Sequence, residues 1–454
     1  MILCSKATPD PGDLIDYDYQ EMIPISTIES VLSIIGLEGL LPPIYSITIY
    51  DIQYESQGHE NTIDTLTGLV AIPMSPTQAF PILSYHHGTT ALDDEAPSIT
   101  GLGFSNVEIL SIGFLCTPSG YITIFPDYEG MGDPNKFHPY HIKDSYTRSV
   151  ANMLRAVKEL SEILSGEEGF QYNEQLFLLG YSEGGYATLA AQCGLELDHA
   201  DEFVVTASFP MAGAYDLSGT MVDYFLSEPV YENPYYVPYV LTSHIWYYDG
   251  EEADLNQYFE SFWADALPSL YDGTHSGSEI NGLLPDNVLD ILIDSVLTDF
   301  TTNEEQFLRQ TLELNTFLDW TPQSPTYLFH AIGDDQVPYQ NSQVAYDMFQ
   351  ENGAPNVNLQ LLTEQTGGHA SSFIPCVLSA YDLLIDYHVI NEKGDMNADG
   401  TLSMVDMAFL SSYIINDLEF TALQYWLGDC NFDDQNDVMD ILMLSDKIQL
   451  SEGG

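Results

Sequence analysis

The stretch that decides the fold is Leu176-Phe-Leu-Leu-Gly-Tyr-Ser182-Glu183-Gly-Gly-Tyr186. Its first four residues form a short apolar run typical of a buried strand, and helical periodicity begins at Tyr186. A G-x-S-x-G sequence between a strand and a helix indicates a nucleophile elbow, a turn so tight that only small residues fit on either side of the serine. We therefore predict that Ser182 is a nucleophile at the start of a helix, where the Glu183 N–H would stabilise an oxyanion.

This strand is one of a series of short apolar runs that alternate with helical patterns. Eight runs are predicted to be strands: residues 45–52, 66–73, 81–85, 121–125, 176–179, 203–209, 326–329 and 357–362. Helical periodicity occurs at 146–164, 186–193 and 372–387. Strands that alternate with crossover helices predict an α/β fold with a doubly wound, mostly parallel sheet of eight strands.

Changes in composition divide the chain into four parts. We predict an N-terminal segment (1–44), an α/β core (45–214 and 325–390), an insertion (215–324) and a small C-terminal module (391–454). The first half of the insertion is dense in aromatic residues, and its second half reads as helical. An insertion at this point lies above the carboxyl edge of the sheet, where a cap or lid would cover a site. An additional helical layer with an aromatic core is the alternative.

The charge of the chain restricts its possible partners. It has 9 Lys+Arg and 69 Asp+Glu, so its formal net charge is −60. Such a charge repels polyanions, which excludes nucleic acid as a partner. The best candidate for a membrane span, 31–50, is broken by Glu38 and by Pro42-Pro43, so no span is predicted. The composition suits an extracellular or cell-surface protein, although no signal peptide is visible.

A serine nucleophile needs an acid and a base, which follow it along the chain in folds of this kind. Asp334 lies just beyond a predicted strand and is the candidate acid, with Asp335 as the alternative. Two histidines follow. His369 lies in a Gly-rich loop after the last strand and is the candidate base, whereas His388 ends a long helix and is interpreted as a packed residue.

A second oxyanion donor is expected from the loop after the third predicted strand. That loop reads Tyr85-His-His87-Gly88-Thr89-Thr90. The N–H of Gly88 or of Thr89 would complete an oxyanion hole together with that of Glu183. We interpret His87 as a residue that braces the loop.

Four motifs, at 85–93, 126–130, 180–185 and 329–340, together resemble the secretory lipases typified by Candida antarctica lipase A. The resemblance spans about 45–388. It implies an α/β-hydrolase with an inserted cap that acts on carboxylic esters, with no cofactor for catalysis. Carried over residue by residue, it implies Ser182 as nucleophile, Asp334 as acid and His369 as base, with the oxyanion loop at Gly88.

The C-terminal module contains an internal duplication with an offset of 34 residues. Oxygen-bearing residues recur at positions 1, 3, 5, 7, 9 and 12 of each copy, the ligand positions of an EF-hand calcium loop. The expected ligands are Asp395, Asn397, Asp399, Thr401, Ser403 and Asp406 in the first loop, and Asp429, Asn431, Asp433, Gln435, Asp437 and Asp440 in the second. The second site is predicted to be weaker, because Asp434 replaces the turn glycine and Asn436 replaces the hydrophobic anchor.

Aspartate at the twelfth position of a duplicated loop–helix unit resembles a dockerin module. That resemblance implies two bound Ca²⁺ ions and a cohesin-type protein partner. The whole sequence thus predicts a secreted serine ester hydrolase tethered through a calcium-dependent module. The alternatives are a serine peptidase or acyltransferase on the same fold, or a calcium-dependent interaction protein whose hydrolase domain is not catalytic.

Overall fold

A mixed β-sheet runs through the part of the chain that the computed structural model describes, residues 10–40, 42–59, 62–133, 136–164, 170–228, 230, 232–416 and 419–452. Its strands are β1 (Leu14–Ile23), β2 (Ile47–Gln57), β3 (Ile63–Pro73), β4 (Gln78–His86), β5 (Ile122–Pro126), β6 (Gln171–Tyr181), β7 (Val205–Met211), β8 (Thr326–Ala331), β9 (Val357–Leu362) and β10 (Asn391–Glu392). The order is β1-β2-β3-β5-β4-β6-β7-β8-β9, and β10 pairs with β4. From β5 across to β9 all neighbours are parallel.

The prediction of eight strands is wrong, because the sheet has ten within the described residues. Each of the eight predicted runs overlaps one of the strands β2 to β9, and the additional strands are β1 and β10. In β1 only Leu14 and Ile23 are buried, so this edge strand lacks the apolar alternation by which a strand is recognised. The two residues of β10 are too few to give any pattern.

Sixteen helices accompany the sheet in the described residues. They are α1 (Ile25–Ile34), α2 (Pro97–Thr100), α3 (Val107–Cys116), α4 (Lys143–Ile163), α5 (Glu183–Asp198), α6 (Val222–Ser227), α7 (Tyr236–Asp249), α8 (Ser261–Leu270), α9 (Gly277–Asn281), α10 (Asp294–Thr302), α11 (Phe307–Leu314), α12 (Gln340–Glu351), α13 (His369–Tyr387), α14 (Met404–Asn416), α15 (Ala422–Gly428) and α16 (Val438–Glu452). None of them is long and apolar enough to cross a membrane.

The two faces of the sheet bury alternate residues of each strand. On one face Phe177 and its neighbours pack against α1, α3 and α13. On the other face Leu176 and Leu178 pack against α4 and α5. Because successive side chains of a strand point to opposite faces, near-continuous apolar runs are required when helices cover both. This doubly wound arrangement is the one expected from the sequence.

Residues 215–324 contain helices α6 to α11, and their apolar side chains join one cluster with the first turns of α5. The C-terminal helices have a core of their own. Leu410 of α14, Leu427 of α15 and Leu444 of α16 are buried there beside Ala79 of β4. The short strand β10 leads into these helices, so the C-terminal part rests on the beginning of β4.

Asp51 of β2 is half-buried and lies opposite Asp18 of the neighbouring strand β1. Burial, together with the charges of Asp127 and Asp18, raises its pKa to about 7. The unfolded chain, with the ordinary value, releases this proton near pH 4, so folding is opposed increasingly from about pH 4 up to pH 7. We expect Asp51→Asn to raise the melting temperature at pH 8 and to leave it unchanged at pH 4.

Thermal denaturation at the two pH values measures this effect. Asp18→Asn is the matched control, because it removes one repelling charge while Asp51 stays in its half-buried position. It should give a smaller gain at pH 8. An equal gain for Asp51→Asn at pH 4 would show that the pKa shift is not the cause.

Candidate active site

Ser182 occupies the sharp turn between β6 and α5. Its φ of 61° and ψ of −123° are strained for a residue with a side chain, and such values are characteristic of nucleophile elbows. The Ser182 N–H donates to the carbonyl of Met211 at the end of β7, at 2.9 Å, which holds the turn against the neighbouring strand.

The glycines on either side of the turn leave no room for a side chain. A Cβ atom at Gly180 would lie 2.2 Å from the carbonyl oxygen of Gly184, and a Cβ at Gly184 would lie 1.9 Å from that of His86. The requirement for small residues follows from these close backbone approaches. The approach of Gly184 to His86 also places the elbow directly against the end of β4, where the predicted oxyanion loop begins.

The three predicted catalytic residues form one hydrogen-bonded chain. His369 Nε2 lies 2.8 Å from Ser182 Oγ, and His369 Nδ1 lies 2.6 Å from Asp334 Oδ2. His369 is the first residue of α13, whereas the sequence predicted a loop before a helix at Ser372. A histidine in the first turn of a helix has its position fixed by that helix. The side chain of Asp335, the alternative acid, accepts the N–H of His369 at 2.9 Å.

Asp334 is buried beneath the histidine and is held by main-chain and imidazole donors. Its Oδ1 accepts the N–H groups of Gln336 and Val337, and His330 Nε2 lies 3.3 Å from Oδ2. Burial alone would raise the pKa of Asp334, but the charges and hydrogen bonds of His369 and His330 outweigh it and hold this pKa well below its usual range. The ionised carboxylate keeps a proton on His369 Nδ1, which leaves Nε2 free to accept one from Ser182.

His330 was not predicted to have a role, although it lies four residues before Asp334. Its Nε2 is 2.8 Å from the carbonyl oxygen of Val337, and its Nδ1 is 2.7 Å from Ser342 Oγ. Because a carbonyl oxygen only accepts, Nε2 must carry a proton, which it presents to both Val337 and Asp334. The only signal for His330 in the sequence was its place directly after a predicted apolar strand and four residues before the candidate acid.

The oxyanion loop differs from the expectation in one residue. The Gly88 N–H donates to Glu108 Oε1 of α3 at 2.8 Å. It is therefore not available to an oxyanion, and the prediction of Gly88 as an oxyanion donor is wrong. Thr89 lines the same cavity as Ser182 and is the remaining candidate in the loop. The N–H of Glu183 heads α5, and the first N–H groups of a helix have no acceptor within the helix. Glu108 was not anticipated because it is remote in sequence from the loop.

The Glu183 side chain is buried behind this N–H. Its Oε1 accepts from His138 Nε2 at 3.0 Å and from the Tyr146 hydroxyl at 2.8 Å. Burial alone would raise the pKa of Glu183, but hydrogen bonding and charge from His138, with His87 and His141 beyond it, hold the pKa below its usual range. The first residue of α5 is therefore anchored by an ion pair. His388 is stacked on Tyr121 at 4.1 Å, remote from this chemistry.

A cavity opens at Ser182 between the sheet and the helices of 215–324. Its walls are mainly aliphatic and come from Leu217, Met221, Val222, Leu226, Val237, Val240, Leu241, Leu289, Leu292, Leu312 and Val337, with Phe225, Tyr236 and Phe300. Phe225, Tyr236 and Phe300 are the aromatic residues that the insertion contributes to these walls. Most of its tyrosines instead pack on one another, as in the stack of Tyr239 between Tyr140 and Tyr271.

Many solved structures are similar to this chain, among them three from different organisms. The rice cell wall degrading esterase LipA from Xanthomonas oryzae is 24% identical, with a TM-score of 0.71, and the match covers 83% of this chain and 99% of that one. A proposed hydrolase from Legionella pneumophila is 25% identical, with a TM-score of 0.73 and coverage of 82% and 98%. Candida antarctica lipase A in its closed state is 17% identical, with a TM-score of 0.59 and coverage of 83% of each chain.

The chain has the α/β-hydrolase fold. No protein-family model matches its sequence, and no curated protein is detectably similar to it. In this hydrolase fold the nucleophile follows a central strand, and the acid and the base lie beyond later strands. Ser182 after β6, Asp334 after β8 and His369 after β9 occupy those places.

The two aspartates beside the histidine are expected to differ strongly in mutants. Asp334→Asn should lower turnover of an ester substrate by about 10⁴-fold, because an amide no longer fixes the tautomer of His369. Asp335→Asn should cost less than about tenfold, because an amide oxygen still accepts the His369 N–H. Steady-state kinetics of the two purified variants measures the difference, and equal losses would contradict the assignment of Asp334.

The two predicted calcium loops lie outside the hydrolase fold and share one conformation. Asp399 and Asp433 donate their N–H groups to the first aspartate of their loop, both at 3.1 Å. The last aspartates, Asp406 and Asp440, are fully buried and accept two main-chain N–H groups each. The duplication seen in the sequence is thus also present in the backbone.

The backbone conformation also repeats at the residues between the ligands. The fourth residues, Ala398 and Phe432, have φ values of 56° and 63°, and the sixth, Gly400 and Asp434, have 81° and 60°. Glycine adopts such a φ without strain and aspartate tolerates it less well, so the two loops differ in backbone strain at the sixth residue.

The donor chemistry of the loops suits calcium, since carboxylate, amide and hydroxyl oxygens are its preferred ligands. However, no three His, Cys, Asp or Glu side chains in the described residues converge closely enough to hold a metal ion by themselves. The second loop also has a cation beside it, because Lys393 Nζ lies 3.4 Å from Asp429 Oδ2. In the first loop, the first aspartate, Asp395, instead accepts a hydrogen bond from the neutral amide of Asn391.

Proposed function

We propose that the protein is a serine carboxylic-ester hydrolase that works through an acyl-enzyme. The observation that carries the proposal is the chain Ser182–His369–Asp334, with bonds of 2.8 and 2.6 Å, in which Ser182 also lines an apolar cavity. A serine bonded to an imidazole that is itself oriented by a buried carboxylate is the arrangement that activates a hydroxyl for attack on a carbonyl.

In the proposed reaction His369 Nε2 takes the proton of Ser182 while Oγ attacks the ester carbonyl. The resulting oxyanion is stabilised by the N–H groups of Glu183 and Thr89. His369 then gives its proton to the departing alcohol, which leaves the acyl group on Ser182. Water, deprotonated by the same imidazole, attacks the acyl-enzyme. His369 then returns this proton to Ser182 Oγ as the bond to the acyl group breaks and the carboxylic acid leaves. No step needs a cofactor.

The cavity favours substrates with an apolar acyl group. Transfer of a hydrocarbon chain from water to a site with aliphatic walls is favourable, and such walls offer few hydrogen-bond partners to a polar acyl chain. The Xanthomonas oryzae enzyme is an esterase that degrades cell walls, and the Candida antarctica enzyme is a lipase. Esterases and lipases both hydrolyse esters. We therefore propose acyl esters, whether of glycerol or of a polysaccharide, as the substrate class of this protein.

Hydrolysis of p-nitrophenyl esters from acetyl to palmitoyl tests the proposal. We expect turnover on these esters, with a preference for acyl chains long enough to fill the cavity. A preference for acetyl would contradict the role of the cavity as the acyl site. Amide substrates and alcohol acceptors separate the alternatives, since faster amide cleavage or acyl transfer would indicate a peptidase or an acyltransferase. No turnover of any of them would favour the non-catalytic interaction protein.

We further propose that the C-terminal module binds Ca²⁺ and attaches the enzyme to an extracellular or cell-surface partner of the cohesin type. The duplicated loops support the first part. The second is supported by exposed apolar side chains that repeat with the same offset, Met404 and Val405 on α14, and Val438 and Met439 on α16. Such residues outside a protein core are typical of binding surfaces.

Calorimetric titration of the full chain with CaCl₂ tests the calcium site. We expect heat of binding in wild type and loss of the tighter site in Asp395→Ala/Asp399→Ala. Asp446→Ala, an exposed aspartate of α16 outside the loops, is the matched control and should bind like wild type. Absence of any heat, or an unchanged titration in the double variant, would contradict the proposal.

A further inference from the structure

We propose that His87 and Glu108 are positioning residues that clamp Gly88 from both sides and thereby direct the Thr89 N–H toward the oxyanion. The inference deepens the proposed hydrolase function and rests on it. Neither side chain reaches Ser182 in any hydrogen bond of the described structure, so both would act through the main chain of the loop.

Glu108 holds the amino side of Gly88. It projects from the first turn of α3 beneath the loop, and its Oε1 accepts the Gly88 N–H at 2.8 Å and the Tyr85 hydroxyl at 2.7 Å. Tyr85 itself is fully buried at the end of β4. The carboxylate thus connects a helix, the last turn of a central strand and the loop. A Cβ at Gly88 would lie only 3.2 Å from Glu108 Oε2, so this close approach favours glycine.

His87 holds the carbonyl side of Gly88. Its Nδ1 lies 2.8 Å from the Gly88 oxygen, and because a carbonyl only accepts, Nδ1 is the donor. The ring is stacked on Tyr128, with 4.2 Å between ring centroids, and Nε2 is 3.4 Å from the carbonyl oxygen of Asp127. The Tyr128 hydroxyl returns a hydrogen bond to the carbonyl of His87. The imidazole is therefore held in place by stacking as well as by hydrogen bonds.

The planarity of the peptide bond turns this clamp into a positioning device. The Gly88 carbonyl and the Thr89 N–H belong to one planar trans unit, in which they point in opposite directions. A carbonyl bonded to His87 therefore directs the Thr89 N–H away from His87. Thr89 borders the cavity beside Ser182, and its hydroxyl lies 3.0 Å from that of Tyr140, which fixes the other side of the residue.

An N–H held in this way acts on the transition state more than on the bound ester. The charge on the substrate oxygen appears only when Ser182 attacks, so a misdirected donor slows the chemical step with little effect on substrate affinity. Loss of the clamp should thus lower kcat and leave KM nearly unchanged. A residue that merely supported the fold would lower the amount of active protein instead.

His87→Phe is the decisive variant, because phenylalanine keeps the stacking on Tyr128 and removes the donor to Gly88. We expect kcat for a p-nitrophenyl ester, normalised to folded protein, to fall by about 10- to 100-fold with KM within twofold of wild type. Glu108→Leu should behave in the same way. Glu108→Gln keeps an acceptor oxygen and should recover most of that loss.

Three results would overturn the inference: an unchanged kcat in a folded His87→Phe, a KM that rises in proportion, or no recovery in Glu108→Gln relative to Glu108→Leu. If His87→Phe does not fold, as judged by its melting temperature, the two Glu108 variants decide. Wild type and Ser182→Ala are assayed in parallel. Activity that survives in Ser182→Ala would refute the hydrolase proposal itself, whereas a serine-dependent activity insensitive to His87 would refute only the clamp.

Discussion

Ser182→Ala is expected to lower ester hydrolysis by about 10⁴- to 10⁶-fold, the largest effect of any single substitution on activity. The Oγ atom is the group that would form the covalent bond, and no other hydroxyl donates a hydrogen bond to His369 Nε2 in the described structure. The residual rate would come from the oxyanion donors and from substrate binding, which alanine leaves in place.

The fold should survive this change, because removing one oxygen at a turn creates no cavity and relieves no contact with the core. Equal melting temperatures for the two proteins would establish this. Ser105→Ala, at an exposed serine outside the cavity, is the matched control and should retain full activity. A Ser182→Ala protein that still turns over the ester would show that the nucleophile lies elsewhere.

Gly184→Ala is expected to have the largest effect on stability, at least about 3 kcal/mol in the free energy of unfolding. A Cβ at this position would lie 1.9 Å from the carbonyl oxygen of His86, a main-chain atom that cannot move aside like a flexible side chain. To relieve the clash, α5 must move away from the end of β4. Such a shift would also separate Ser182 from the oxyanion loop, so activity and stability should fall together.

Gly282→Ala provides the comparison for chemical denaturation. Gly282 directly follows helix α9, its φ is −68°, and the nearest atom to an added Cβ is 3.5 Å away. Alanine there should be neutral or slightly stabilising, because it restricts the unfolded chain. If Gly184→Ala unfolded at the same denaturant concentration as wild type, the close packing of the elbow against β4 would be contradicted.

The parts of the fold that were predicted correctly have local signals. Runs such as 176–179 are apolar on both faces because helices cover both sides of the sheet, and this burial is visible in composition alone. The edge strand β1 has no such signal, since most of its side chains face solvent. Its place in the sheet depends on pairing with β2, a contact between segments about 30 residues apart.

The candidate site shows the same division. Ser182, Asp334 and His369 were assigned from the order of motifs along the chain, and the structure brings them within hydrogen-bond distance. The choice between Gly88 and Thr89 as oxyanion donor required the position of Glu108, which takes the Gly88 N–H. The contact of His330 with Asp334 and with the carbonyl oxygen of Val337 was likewise visible only in the folded structure.

What the sequence by itself determined is the chemistry that short-range sterics and residue order impose: a glycine-flanked serine in a strand–turn–helix, an acid and a base after later strands, and two duplicated acidic loops. The tertiary structure alone decided the number of strands, the partner of the Gly88 N–H and the aliphatic character of the cavity. Those features arise from contacts between residues far apart in the chain. Their free energy depends on which groups meet after folding, and no local pattern encodes it.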